Sequence, residues 1–191
     1  MGDRAHEIRI ADLLEHGNIA AVDIEREIYR ELSKQFHEED GSVEMIDGTF
    51  ALLRGRFKQA EDLATQAFQK AQRWQHPRAL LSYAAQLTMV RFHQGRIREM
   101  LPLLDQYAAT YPRIDLLRCA LALASIENDN AEQARLHFEY FATNDFASLE
   151  KNWNWLATIV VASEVCVFLK DERRAPLLYR LLLPYAARNV T

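Results

Sequence analysis

Leu53-Arg54-Gly55-Arg56-Phe57-Lys58-Gln59-Ala60-Glu61 reads as the end of one helix, a Gly-Arg corner, a large apolar residue and the start of the next helix. The pattern returns at Phe92-His93-Gln94-Gly95-Arg96-Ile97-Arg98-Glu99. Altered copies stand at Glu127-Asn128-Asp129-Asn130-Ala131 and Leu169-Lys170-Asp171-Glu172-Arg173, and a degenerate one at His16-Gly17-Asn18-Ile19. The corners recur at roughly 38, 40, 34 and 41 residues, a helical-repeat period.

Outward from the corners the apolar residues keep three- and four-residue steps, without strict alternation. Helices are expected near 3–16, 18–37, 42–54, 57–74, 77–94, 97–110, 113–128, 131–143 and 150–187, the last broken at Asp171 to give about ten in all. Gly17, Gly55 and Gly95 can take the left-handed conformation that ends a helix. Pro77 suits a first turn, and Pro112 should close the helix before it. Asn130 and Gln133 suggest a capping box. Pro102 and Pro184 fall inside expected helices and should bend them. Loops this short make sequential helices antiparallel neighbours.

A second regularity is aligned on the corners. Gly48, Thr88, Ala122 and Ser163 lie about seven residues before, and Ala60, Met100, Ala134 and Ala175 about five after. Small side chains there let two helices of a hairpin approach closely. Ala64, Leu104, Phe138 and Tyr179 follow one turn later and should pack on the next hairpin. The expected fold is therefore all-α: a right-handed α-solenoid of antiparallel helix pairs, forming a single repeat domain over residues 1–191.

The small residue in the first helix, the Gly-apolar corner and the early Ala resemble the tetratricopeptide repeat. The usual first-helix Trp is missing, and only Pro112 fits the Pro at the repeat end. The run from Phe50 to Ala64, together with Leu101-Pro102-Leu103-Leu104, Asn154-Trp155-Leu156-Ala157 and Leu177 to Ala186, is similar to the helical region of bacterial signal-transduction ATPases. In those proteins the region is joined to LuxR-type DNA-binding or nucleotide-cyclase modules. The resemblance implies a tetratricopeptide-like, non-catalytic scaffold or sensor, a fragment of a longer regulatory protein. It implies a bacterial role in signal transduction or transcription control.

Of 191 residues, 49% are hydrophobic and 26% charged, with 6 Gly and 5 Pro, values that fit a folded helical chain. The net charge of -4 offers no basic surplus for phosphate, so no direct nucleic-acid partner is expected. No G-x-x-x-x-G-K-[ST] run is present, so a Walker nucleotide site is not expected either. The apolar run 155–169 is shorter than a bilayer span and contains Glu164, so no membrane partner is expected. The start lacks a signal peptide's apolar stretch, and a cytoplasmic location is expected. Cys119 and Cys166 should be buried, reduced thiols.

No catalytic residue, metal ligand or cofactor is expected. The six His residues lack the four-residue helical spacing of zinc ligands, and His37-Glu38-Glu39-Asp40 reads as a solvated helix end. The first helices of the hairpins should line an inner, mainly apolar wall. Ser82, Gln86, Met89, His93, Cys119, Trp153 and Glu164 are the expected binding residues on or near it. Trp153 and Trp155 cannot share one helical face. Such a wall suits a protein partner, a peptide or an apolar small ligand rather than an acidic peptide tail. A homodimer through the terminal hairpins is the alternative.

Overall fold

The computed structural model describes residues 3–36, 40–75, 79–111, 114–152 and 154–190. Among them are ten α-helices and no strand. The helices are α1 (Asp3–Glu15), α2 (Ile19–Phe36), α3 (Ser42–Leu53), α4 (Phe57–Arg73), α5 (Ala79–His93), α6 (Leu101–Thr110), α7 (Asp115–Glu127), α8 (Ala131–Phe141), α9 (Trp155–Phe168) and α10 (Ala175–Leu182). The 3-10 turns Ile97–Met100 and Leu183–Tyr185 complete them. The expected Pro77, Pro112 and His37 features, and Trp153, lie outside the described residues.

The repeated corners are one backbone device used five times. Gly17, Gly55, Gly95, Asp129 and Lys170 all have positive φ. At each, the N–H of that residue donates three residues back and the next N–H five residues back, as in Gly55 to Leu52 and Arg56 to Ala51. This Schellman arrangement satisfies carbonyls that a helix end leaves open. After the Asp129 corner, Asn130 caps α8 by accepting from the Gln133 N–H at 3.1 Å.

Contacts divide the chain into two compact units, residues 1–90 and 91–190. In the first, α1 packs on α2, α2 on α3 and α3 on α4. Ile10, Leu14, Val22, Tyr29 and Phe50 form one core cluster, and Ala51, Ala60 and Val90 another. Ion pairs stitch the helices: Arg26 and Arg30 of α2 both reach Asp47 of α3. Arg26 also lies 3.9 Å from the Phe50 ring centroid, so it contributes packing as well as charge.

The second unit is organised about α7, which contacts α6, α8 and α9, while α9 pairs with α10. A helix enclosed on several sides must be apolar nearly all round. Residues Cys119 to Ser125 of α7 are accordingly all buried. Phe138, Phe141, Phe146, Trp155 and Ile159 fill the main core.

The small-residue rule holds at three corners. Gly48, Thr88 and Ala122, and likewise Ala60, Met100 and Ala134, are buried. Ala64, Leu104 and Phe138 are buried one turn later. At Lys170 the rule is displaced by one residue. Ala162 rather than Ser163 is fully buried, and Leu178 rather than Tyr179 enters the core. Ala175 is exposed and Tyr179 is 66% exposed. One residue is about 100° of helix rotation, enough to turn a core position outward. Arg174 instead occupies the corner, pairing with Asp171 and Glu139.

Two expected bends are absent because each proline begins an element. Pro102 lies in the first turn of α6, after a 3-10 turn, and Pro184 lies in the turn that follows α10. A missing N–H costs nothing there. One loop is also longer than expected, residues 142–154, and its Phe146 and Leu149 are buried.

Ala60→Leu and Ala134→Leu, both at 0% exposure, should force their hairpins apart. Each is expected to lose roughly 1–3 kcal/mol in urea denaturation.

Candidate functional site

In the second unit a cavity of about 100 Å³ opens among α6, α7 and α8. Ala108 contributes from the end of α6, and Ile114 from the extended residue that precedes α7. Leu117, Arg118 and Leu121 follow within one turn of α7, and His137 closes the cavity from α8. Tyr111, the residue after α6, lines the cavity too, and the other walls are aliphatic apart from the Arg118 and His137 side chains.

Both nitrogen groups are short of partners. Arg118 Nε and His137 Nδ1 are buried without a hydrogen bond to a described residue. Arg118 forms no ion pair with a described residue. Its guanidinium lies over the Tyr140 ring, 3.9 Å from the centroid. The Tyr140 hydroxyl donates to Asp115 Oδ1 at 3.1 Å. A buried donor left unmade costs about 1–3 kcal/mol. The residues that carry both atoms line one cavity, where an acceptor beside Arg118 would be favourable.

His137 is 7% exposed. Burial pushes its pKa below the ordinary imidazole value, and the neighbouring Arg118 charge pushes the same way, against Asp105. It is neutral near pH 7, with one ring nitrogen donating and one accepting. Burial also raises the Tyr140 pKa, reinforced by Asp115. The phenol thus stays protonated and keeps its hydrogen bond.

Ile114 separates the cavity from a wider cleft of about 570 Å³, bordered by Asp115, Tyr140, Ser148, Glu150 and Asn154. The cavity is apolar with a cation, while the cleft is polar with two carboxylates.

The residues expected from the sequence lie elsewhere. Ser82, Gln86 and Met89 follow one another at helical spacing along α5, and an exposed His93 ends that helix. Gln86 is buried rather than open to a groove. Its Nε2 donates to the Met45 carbonyl at 2.8 Å and to Thr49 Oγ1 at 3.3 Å, in the space left by Gly48. Cys119 is buried, with Thr158 Oγ1 at 3.8 Å, and burial pushes its thiol up to about 12. It is a neutral thiol at pH 7 and a poor nucleophile. Cys166 is buried and free as well. Glu164 is exposed.

Arg118 was the missed signal. It is the only charged residue from Leu116 to Ser125, a run otherwise apolar enough for a buried helix. His137 could not be separated from surface histidines, because its burial depends on α6 and α7. Among the described residues, no group of three or more His, Cys, Asp or Glu could hold a metal ion. No described helix is long and apolar enough to cross a membrane. No family model, curated protein or solved structure matches the chain.

Proposed function

We propose that this chain is a non-catalytic binding module, a helical-repeat scaffold or sensor that acts in the cytoplasm as part of a bacterial signalling or transcriptional regulator. The observation that carries the binding reading is the α6–α7–α8 cavity, lined by Arg118 and His137, each with a nitrogen atom that has no hydrogen-bond partner among the described residues. Repeated hairpin corners support the scaffold part, since stacked pairs transmit strain through neighbour contacts. A ligand on such a stack changes its partner's affinity only by its differential affinity for two arrangements.

A thermal-shift screen of the full chain against sugars, carboxylic acids, nucleotides and amphipathic peptides tests this reading. The expected result is a compound that raises the melting temperature and is recovered chemically unchanged. Conversion of that compound to product would overturn the non-catalytic reading. The alternative, a homodimerisation module, draws on the exposed Val167, Tyr179 and Leu183 of the last hairpin and its following turn. It calls for a mass that rises with concentration in sedimentation equilibrium.

A further inference from the structure

We infer that the α6–α7–α8 cavity binds a small aliphatic monocarboxylic acid, with Arg118 as counter-ion of its carboxylate and His137 as a second donor. This inference rests on the binding reading above and names the ligand class.

Charge comes first. The Arg118 guanidinium has the Tyr140 ring face as its close neighbour and no carboxylate of a described residue within 4.0 Å. A cation–π contact compensates a partly buried cation less fully than a hydrogen-bonded anion does. Asp115, which accepts from the Tyr140 hydroxyl, forms no ion pair with Arg118 within 4.0 Å. Arg118 and His137 both line the cavity, and neither Arg118 Nε nor His137 Nδ1 has a hydrogen-bond partner among the described residues. A carboxylate has two oxygens and takes donors from two sides.

Shape and polarity then restrict the rest of the ligand. Ala108, Ile114, Leu117 and Leu121 present hydrocarbon, beside the half-exposed Tyr111. A phosphate or sulfate would turn oxygens toward those walls and lose their hydration without replacement. The volume of about 100 Å³ is below that of sites for drug-sized ligands, so nucleotides and peptides do not fit inside it. An acid of roughly three to five carbons suits it. His137 stays neutral on burial, so it adds a hydrogen bond without a second fixed charge.

The experiment is calorimetric titration of the full chain with sodium butyrate, butyramide and sodium phosphate. Butyrate is expected to bind at least about tenfold tighter than its neutral amide, because the charge-assisted hydrogen bond is lost in the amide. Arg118→Gln should weaken butyrate binding on the order of tenfold to a hundredfold. Ala108→Leu, which fills the cavity with hydrocarbon, should abolish butyrate binding while the melting transition persists. Equal affinity for butyrate and butyramide, equal affinity for phosphate, or no heat with any probe would each overturn the inference. The butyrate–butyramide comparison uses the unaltered chain, so it decides even if a variant fails to fold. If butyrate is silent while another compound of the screen stabilises the chain unchanged, only the ligand class falls. If the stabilising compound is consumed, the binding-module reading itself falls.

Discussion

Gly41→Ala is expected to lose about 3 kcal/mol of stability, measured by urea denaturation of the full chain. Two costs combine. Gly41 precedes α3 with φ 95°, a conformation that side chains rarely adopt. That strain alone is worth about 1–2 kcal/mol. An added Cβ would also lie 2.4 Å from the Ala67 carbonyl oxygen of α4. Backbone of a packed helix cannot swing aside as a long side chain can, so α3 and α4 must separate. Such overpacking adds roughly 1–3 kcal/mol. Gly55→Ala isolates the first cost: its φ is 69°, with no atom within 4 Å of the added Cβ. It should lose about 1 kcal/mol. Hydrogen exchange should quicken in α3 and α4 for the Gly41 variant. Equal losses for the two variants would mean that the contact with Ala67 is not tight.

Phe138→Ala is expected to cost about 3–5 kcal/mol in the same measurement. Phe138 has 0% exposure and belongs to the main core of the second unit. Its ring centroid is 6.0 Å from that of Phe146, the residue by which loop 142–154 enters the core. The Arg174 guanidinium lies 5.3 Å from the same ring. Removing the ring thus leaves a void and withdraws support from a long loop and a largely buried cation. Surrounding helices relax only partly, so the cavity penalty adds to the lost transfer energy. Tyr179→Ala serves as the contrast, since Tyr179 is 66% exposed. It should change stability by no more than about 0.5 kcal/mol. A large loss at Tyr179 would restore the core position that the repeat spacing had assigned to it.

The contrast between Phe138 and Tyr179 shows how a sequence rule reaches its limit. Both stand nine residues after the left-handed corner residue, Asp129 or Lys170. Spacing alone treats them as equivalent. At Lys170 the following helix starts only at Ala175, after Asp171 accepts from the Arg174 N–H at 3.0 Å. Leu178 then takes the inward place. Repeat arithmetic cannot detect a rotation of about 100°. The prolines follow the same pattern. A proline is compatible with a helix start or with a kink, and only the path of the preceding 3-10 turn decides which applies at Pro102.

Local chemistry, read along the chain, determined the all-helical class, the five corners and the buried cysteines. These depend on neighbours a few residues apart: the apolar period, the residues that tolerate a left-handed turn, and the missing donors at helix ends. Tertiary structure alone decided which groups would be stranded together. Arg118 stands out within an apolar run, but its meeting with His137, 19 residues on, depends on how α6, α7 and α8 enclose them. Desolvation depends on every surrounding element at once, so no local pattern could reveal it.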